Sequence, residues 1–277
     1  MRVVETVAEM RKVAGVAARP LGLVPTMGAV HEGHKALVRR ARSENVSVVA
    51  SLFVNPAQFG PTEDYVAYAR DLDTDLSQFE AEGVDITFVP SEDEVYPEGF
   101  GTYVDVGPVA SRLEGELRSG HFRGVATVVC KLLAIVRPDM AYFGQKDAQQ
   151  SVVIKRLNAD LDLGAEIVVV PTVRDMDGLA LSSRNVYLSP SERESALVLY
   201  RSLRLARELC EGGVTDAEKV RRRMRSMIEG EPGTRIDYVS IAHAETLEEL
   251  ETIAPPVLVS LAVRIGKTRL IDNVFLD

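Results

Sequence analysis

Short apolar runs alternate with longer amphipathic segments over the first two thirds of the chain, and this alternation restricts the possible folds. The apolar runs predict strands at 21–25, 46–54, 85–90, 140–144 and 166–171. Apolar residues at helical spacing predict helices at 2–16, 31–42, 63–83, 123–136 and 147–160. Strands that alternate with helices need crossover connections, so we expect an α/β fold with a mostly parallel sheet covered by helices on both faces.

The pattern changes after Asn185. Ser189 to Glu192 form a capping box with proline at the first helical position, which predicts a helix to about Cys210. A second helix at 215–230 and strands at 236–241, 257–265 and 268–276 follow, the last two joined by a Gly266-Lys267 hairpin turn. Residues 91–120 are expected to form a polar loop and a short extra strand, TYVDVG. We therefore predict a larger domain at 1–175 and a smaller α+β domain at 176–277.

Composition excludes several classes of protein. The 32 Lys and Arg residues against 41 Asp and Glu residues give a net charge of −9, which argues against broad contact with nucleic acid. Cys130 and Cys210 belong to no C-x-x-C pair, so a disulfide framework and a thiolate zinc site are not expected, and a cytoplasmic location fits. The most apolar stretch, at 125–136, is much shorter than the roughly 20 residues that span a bilayer, so we expect no membrane segment.

The segment PTMGAVHEGH (25–34) follows the first predicted parallel strand and opens a helix. Such a junction offers backbone N–H groups and the positive end of a helix dipole to an anion. His31 and His34 lie on one face of the first turn, where imidazoles can stabilise charge on a phosphate, and Gly33 leaves room for a nucleotide. A metal-binding pair or two exposed histidines are the alternatives, but the position favours the nucleotide.

Other polar segments also follow predicted strands. Two hydroxyls and a guanidinium at 181–185 suit phosphate oxygens, and Lys146 is suited to a phosphate while Asp147 is suited to capping the next helix. Gln58 and Gln150 have donors and acceptors suited to a hydroxy-carboxylate. Taken singly, each of these segments is equally or better explained by an ordinary loop or surface. Paired with the histidine motif, the segment 181–185 points to function, because both loops would reach the carboxyl edge of an open α/β sheet, where ligands bind.

The remaining basic groups are interpreted as structural. We expect His121 to be a loop residue, His243 to be structural, and RRRMR (221–225) to be a solvated helix face.

The stretches PTMGAVHEGH, LFVNPAQFG, HFRGVATVVCKLL, YFGQKDAQQ and VPTVRDMDGLALSSRN occur in this order. Together they resemble the pantothenate synthetase family, the ATP-dependent pantoate–β-alanine ligases. The resemblance covers about residues 20 to 190, and KTRLIDN is the best motif beyond it. It implies a Rossmann-like nucleotidyltransferase-superfamily sheet, a smaller C-terminal lid domain and a homodimer.

The resemblance also implies roles for individual residues. His34 is the implied catalytic histidine, Gln58 and Gln150 bind pantoate, and Gln58 also lies at the β-alanine site. Asp75 is placed near Mg²⁺, but Thr74 stands where many members carry a second acid, so the ion is expected to arrive mainly on ATP. The residues assigned to ATP are Met27, Gly28, Ala29, Val30, His31, Glu32, Gly33, His34, Gly144, Gln145, Lys146, Asp147, Val173, Leu181, Ser182, Ser183 and Arg184.

Three further positions depart from the family pattern: Gln145 replaces Glu, and Ala57 and Leu181 replace Met. We expect them to be tolerated, because Lys146, Gln58 and the serines remain. The implied reaction activates pantoate as an adenylate and then transfers it to β-alanine. Rival functions are another nucleotidyltransferase of the superfamily, such as a cofactor adenylyltransferase or a tRNA synthetase relative, and a non-catalytic nucleotide-binding regulator.

Overall fold

A six-stranded, fully parallel sheet forms the first part of the protein, which confirms the predicted α/β class. The structure is a computed structural model that describes residues 1–60, 65 and 71–276. The strand order is β1-β4-β3-β2-β5-β6. The strands are β1 (Arg2–Val4), β2 (Leu21–Thr26), β3 (Ser47–Leu52), β4 (Ile86–Phe88), β5 (Met140–Gly144) and β6 (Glu166–Val170).

Helices connect these strands at nearly all of the predicted places. They are α1 (Val7–Val16), α2 (Glu32–Glu44), α3 (Leu72–Ala81), α4 (Glu92–Val95), α5 (Glu114–Leu117), α6 (His121–Val136) and α7 (Ala148–Asp160). Of the helix predicted at 63–83, residues 63–64 and 66–70 lie outside the described residues. All six residues of β3 are buried, and Leu37 and Val38 of α2 belong to the core beside it.

The secondary structure predicted for two segments, residues 2–4 and TYVDVG, is wrong. Residues 2–4 form an edge strand paired with β4, and the helix begins only at Val7, after Thr6 caps it by accepting the N–H of Glu9 at 3.2 Å. TYVDVG forms no strand; instead Val104 N donates to Thr127 Oγ1 at 3.0 Å and the Arg123 guanidinium lies 4.2 Å from the Tyr103 ring centroid. In both segments a contact with a distant part of the chain overrides the local pattern.

The chain divides into two compact units, residues 1–145 with 149–171 and residues 146–148 with 172–277. The second unit contains α8 (Pro190–Glu211) and α9 (Ala217–Glu229), and an antiparallel sheet of β7 (Thr234–His243), β8 (Val257–Ile265) and β9 (Thr268–Leu276). The capping box of α8 and the two-residue hairpin between β8 and β9 form as predicted. Leu199 of α8, Met224 of α9 and Leu261 of β8 share its core.

Among the described residues, no helix is both long enough and apolar enough to cross a bilayer.

Candidate active site

The carboxyl end of β2 is the point where the strand order reverses. From β2 the chain continues to β3 on one side, whereas β5, added later, pairs with the other side of β2. Ligands of open α/β sheets bind in the crevice outside such a switch point. The segment 25–34 leaves the sheet here, as its position in the sequence predicts.

A tight turn links β2 to α2, and Asp75 of α3 holds it. Gly28 has φ +87° and Ala29 has φ +51°, so the backbone is left-handed at both residues. The N–H groups of Ala29 and Val30 donate to the two Asp75 carboxylate oxygens at 2.9 and 2.8 Å. The sequence predicts that N–H groups at this junction are available to an anion, but these two are bonded within the protein.

Asp75 itself is only 4% exposed. Burial raises the pKa of its carboxyl, although the N–H groups of Val30 and Ala29 oppose the shift by stabilising the charge. A side chain on residue 28 would place its Cβ 2.7 Å from Asp75 Oδ2, so glycine is required at that position. The carboxylate therefore occupies the space that a side chain at residue 28 would need. Its hydrogen bonds to the turn fix the direction in which α2 begins.

His31 and His34 form a stacked pair at the start of α2. Their ring centroids lie 4.1 Å apart, with 34° between the ring planes. His31 caps the helix, because its Nδ1 accepts the N–H of Gly33 at 3.0 Å, and His34 Nδ1 accepts the N–H of His31 at 3.4 Å. Since Nδ1 is the acceptor in both rings, a neutral imidazole at either position carries its proton on Nε2. Each ring therefore presents an N–H donor on its Nε2 side.

Gly33 is required by this histidine pair. A Cβ at residue 33 would lie 2.7 Å from His31 Cε1, so any side chain would displace the ring. Glu32, between the histidines in the sequence, is bound elsewhere: it pairs with Lys35 at 3.1 Å and Arg39 at 3.0 Å, and these contacts lower its pKa. Its carboxylate points to the surface of α2 and to its basic neighbours.

Gln58 lies in a buried turn after β3, and only 9% of it is exposed. Its Nε2 donates to Met27 Sδ at 2.8 Å, and its Oε1 accepts Asn55 Nδ2 at 3.0 Å. Asn55 is held in turn by Tyr96, whose hydroxyl donates to Asn55 Oδ1 at 2.7 Å. The structure thus brings Gln58 to Met27, one of the residues that the sequence analysis assigns to ATP.

The start of α6 holds the same turn from its other side. His121 Nδ1 lies 2.8 Å from the backbone oxygen of Gln58, and Arg118 Nη1 lies 3.0 Å from His121 Nε2. Gly124 packs so tightly that a Cβ there would lie 2.1 Å from the Ala57 oxygen. The expectation that His121 is a loop residue is wrong, because it is buried and begins a helix.

Gln150 is half-buried on the first turn of α7, while its neighbour Gln149 is fully buried. Gln149 Oε1 accepts the N–H of Glu114 at 3.0 Å, and its Nε2 donates to Val109 O and Arg112 O at 2.9 and 2.7 Å. Gln149 is thus structural and anchors the segment before α6, which leaves Gln150 as the glutamine suited to a ligand.

In the second unit a small hairpin presents the predicted phosphate-binding segment. Leu181 N donates to Val173 O at 3.0 Å, and Arg174 and Ala180 form a bridge. Ser182 then caps a short 3-10 turn, with its Oγ accepting the N–H of Arg184 at 3.3 Å. The residues from Leu181 to Arg184 are half-buried, and the hairpin orients them as one segment.

Gly144 ends β5, and a 3-10 turn at Gln145–Asp147 leads directly into α7. Lys146 is half-buried, and its Nζ lies 4.0 Å from Asp147 Oδ1. Asp147 is exposed, so its carboxylate only partly balances the charge of the ammonium group.

Comparison with known proteins decides the family. A protein-family model described as Pantoate-beta-alanine ligase matches residues 2–275. The chain belongs to the pantoate–β-alanine ligase family. A pantothenate synthetase from Roseiflexus sp. (strain RS-1) is 57% identical over 277 residues, which cover 100% of both chains.

Two solved structures of this family are similar. Pantothenate synthetase from Thermus thermophilus has a TM-score of 0.94 and 51% identity and covers 99% of each chain. Pantoate-beta-alanine ligase from Francisella tularensis, complexed with Beta-gamma ATP and Beta-alanine, has a TM-score of 0.80 and 35% identity and covers 99% of this chain and 97% of the other.

Sequence reasoning missed several contacts that shape the candidate site. Asn55, Tyr96 and His121 act on the Gln58 turn, and Asp75 acts on the turn at 28–30. Asn55 directly follows the apolar strand run and precedes Pro56, which is a recognisable capping signal. Tyr96 had no comparable signal, because its partner lies 41 positions away in the chain.

The described residues do not fit a metal ion held mainly by the protein. They contain no group of three His, Cys, Asp or Glu side chains that could hold one. Both Asp75 oxygens already accept backbone N–H groups, and the neighbouring Thr74 offers its hydroxyl to Asp71 Oδ2 at 2.8 Å. Contact between Asp75 and Mg²⁺ stays a prediction, and no catalytic step is derived through the ion.

Proposed function

We propose that this member of the pantoate–β-alanine ligase family joins pantoate to β-alanine with the residues described above, by way of a pantoyl-adenylate. The observation that carries the proposal is the stacked His31–His34 pair at the switch point of the sheet. Beta-gamma ATP and Beta-alanine in the Francisella tularensis relative support ATP and β-alanine as substrates.

In the first step a carboxylate oxygen of pantoate bonds to the α-phosphorus of ATP while the bond to pyrophosphate breaks. Such a transfer needs in-line positioning and stabilisation of charge on the phosphate oxygens. The Nε2 side of His34 supplies a hydrogen-bond donor for that charge, the positive end of the α2 dipole favours it, and His31 extends the same surface. Lys146, Ser182, Ser183 and Arg184 bind the phosphates that leave.

Gln58 and Gln150 orient pantoate through their amide groups. The contacts with Met27, Asn55 and His121 fix Gln58 in one orientation before a substrate arrives, which lowers the entropic cost of binding. In the second step the amine of β-alanine attacks the acyl carbon of the adenylate, AMP leaves with the bonding electron pair, and the amine loses a proton.

The adenylate is a mixed anhydride that water hydrolyses, so the site must exclude water during the second step. The segment 174–188 is proposed to cover the nucleotide. The segment carries strongly exposed side chains at Met176 and Val186, which supports a role in covering a ligand.

The remaining assignments are a homodimer, a cytosolic location and Mg²⁺ carried by the ATP phosphates. The family resemblance supports the homodimer, and light scattering of the purified protein tests it. Two free cysteines, Cys130 and Cys210, fit a reducing compartment. Mg²⁺ keeps several waters and prefers phosphate oxygens, which suits an ion delivered with the nucleotide.

Pyrophosphate exchange tests the reaction order. With pantoate present and β-alanine absent, the enzyme should incorporate labelled pyrophosphate into ATP, because the first step is reversible on the enzyme. Exchange that requires β-alanine would refute the adenylate intermediate. Exchange supported by nicotinamide mononucleotide or phosphopantetheine instead of pantoate would favour a cofactor adenylyltransferase. ATP binding without any turnover would favour a non-catalytic regulator.

His34→Ala tests the catalytic assignment. We expect loss of exchange of about 100-fold or more, the range for removing a positioned charge-stabilising donor, with an unchanged circular dichroism spectrum. His243→Ala is the matched control, since that histidine lies on β7 and its Nδ1 accepts backbone N–H groups of Glu245 and Thr246. Near-normal turnover of His34→Ala would show that the histidine is structural.

A further inference from the structure

Two adjacent residues of the last strand, Asp272 and Asn273, contact both segments of the second unit that are assigned to ATP. The Asp272 carboxylate binds the Arg174 guanidinium through two hydrogen bonds, at 2.6 and 2.8 Å, and Asp272 is only 3% exposed. Arg174 also donates to Gly178 O at 3.1 Å and stacks 4.2 Å from the Tyr200 ring centroid. Asp272 thereby fixes the hairpin that carries Val173 and leads into Leu181–Arg184.

Asn273 reaches the other segment. Its Nδ2 donates to the backbone oxygen of Lys146 at 2.9 Å, and Asn273 is 3% exposed. The backbone at Lys146 is the point from which the cationic side chain extends, so this bond sets where the ammonium group can reach. The segment 146–148 groups with the second unit, although its neighbours in sequence on both sides belong to the first.

Successive side chains of a strand point to opposite faces of a sheet. In β9, Asp272 is paired across from Leu261, which belongs to the core under α8, whereas Asn273 is paired across from Ser260. One side chain therefore binds Arg174 on the helix-covered face, and the next binds Lys146 on the opposite face. A single stretch of strand backbone connects the two nucleotide-binding segments.

We propose that Asp272 and Asn273 are positioning residues for ATP, which hold the hairpin 173–181 and Lys146 in a fixed relation to each other. The proposal rests on the proposed function of Lys146 and Arg184. A bidentate, buried guanidinium–carboxylate pair has a well-defined geometry, and the amide bond to Lys146 adds a second fixed point. The motif KTRLIDN thus gains a role: its last two residues align the two cationic groups with the triphosphate.

Asn273→Ala tests the route to Lys146. We expect the KM for ATP to rise about tenfold, as for a lost buried hydrogen bond, while the KM for pantoate and kcat change by less than about twofold. Asn273→Ser keeps a hydrogen-bond donor on a shorter side chain, and it replaces the alanine variant in the test if that variant folds poorly. Ser240→Ala is the matched control, because this buried hydroxyl on the same sheet has no hydrogen-bond partner among the described residues.

A double-mutant cycle separates positioning from general damage. If Asn273 acts through Lys146, then Asn273→Ala has little further effect on ATP binding in a Lys146→Ala background. Asp272→Asn should still weaken ATP binding in the Lys146→Ala background. It should have little further effect in an Arg184→Ala background, because Asp272 acts through the hairpin that leads to Arg184. Additive losses for Asn273 and Lys146, or unchanged ATP kinetics in Asn273→Ala, would overturn the inference. A wild-type enzyme without pyrophosphate exchange would instead refute the proposed function.

Discussion

The imidazole of His121 is hydrogen-bonded to the backbone carbonyl of Gln58, with Nδ1 2.8 Å from the oxygen. A carbonyl can only accept and the Arg118 guanidinium can only donate, so a neutral His121 with its proton on Nδ1 satisfies both contacts. The residue that the sequence places in a loop is therefore a link between α6 and the turn that carries Gln58, whose amide is proposed to bind pantoate.

His121→Ala is expected to lower kcat/KM for pantoate about tenfold, because one lost buried hydrogen bond corresponds to about 1.4 kcal/mol of transition-state stabilisation. The KM for ATP should change little. His121→Asn should recover much of the loss, since the asparagine amide N–H lies near the position of Nδ1. Steady-state kinetics with each substrate varied in turn measure the effect, and an equal loss for ATP and pantoate would contradict it.

Gly124→Ala should disrupt the Gln58 turn more severely. The added Cβ would lie 2.1 Å from the Ala57 oxygen and 2.6 Å from Gln58 N, so either α6 or the turn must move. Overpacking of this kind costs about 1–3 kcal/mol of unfolding free energy, and pantoate binding should fall with it. Urea denaturation and pantoate titration measure the two effects.

Gly15→Ala is the matched control for that substitution. Gly15 is exposed in α1, and a Cβ there would meet no atom within 4 Å. Alanine in a helix is more stable than glycine by about 0.5–1 kcal/mol, so this variant should be slightly more stable and fully active. If Gly124→Ala raised the unfolding free energy, α6 would not pack closely against the turn.

Asp75→Asn should separate stability from function through its pH dependence. Burial raises the pKa of Asp75 above its ordinary value of 3.8, so the folded state binds this proton more tightly than the unfolded state. The stability contributed by Asp75 is then fully present below its unfolded pKa and is lost as the pH rises through the folded pKa. The wild type should therefore lose stability relative to Asp75→Asn as the pH rises above the ordinary aspartate pKa of 3.8.

The same variant should bind ATP more weakly at neutral pH, because the asparagine NH₂ group cannot accept an N–H of Ala29 or Val30. Urea denaturation across the pH range and ATP titration measure the two effects. A stability difference that does not vary with pH would contradict the raised pKa. Normal ATP affinity in the variant would show that the turn does not depend on the carboxylate.

Arg193→Gln should loosen the tip of the hairpin at 174–180. Arg193 on α8 pairs with Asp175 at 2.7 Å and also with Asp177, whose pKa it lowers. These side chains are more than a third exposed, so we expect less than about 1 kcal/mol of stability change but faster proteolysis near Met176. Mass spectrometry of limited digests measures the rate.

High salt should move the wild type towards this variant, since exposed ion pairs are screened. Arg201→Gln is the control, because Arg201 lies on the same helix and pairs with Glu231 at 3.6 Å, away from the hairpin. Equal digestion of the wild type and Arg193→Gln at low salt would count against the role of the ion pairs.

Much of the fold could be predicted because its signals are local. Buried parallel strands are continuous apolar runs, and the strand at 140–144 was predicted with the bounds of β5. The capping box at Ser189 and the Gly266 turn depend only on residues within a few positions of each other. The positions of His31 and His34 at the start of α2 also followed from local turn and capping signals.

The secondary-structure predictions are wrong where a partner far away in the sequence determines the local structure. Residues 2–4 have a helical pattern of apolar residues, but pairing with β4, more than eighty positions later, makes them a strand. The Val104 N–H likewise donates to Thr127 Oγ1 and not to a neighbouring strand, and TYVDVG forms no strand. Local propensity is worth a few tenths of a kcal/mol per residue, which a ladder of backbone hydrogen bonds readily exceeds.

The sequence alone determined most of the strands and helices after residue 20, the change of pattern after Asn185 and the places of the groups that are proposed to bind phosphate, because spacing and turn chemistry encode these directly. Only the tertiary structure decided how those groups are held: Gln58 by His121, the turn at Ala29 by Asp75, and Lys146 by Asn273. Each bond joins residues 46 to 127 positions apart. No periodicity specifies such pairs, since they form only once the sheet has brought its loops together.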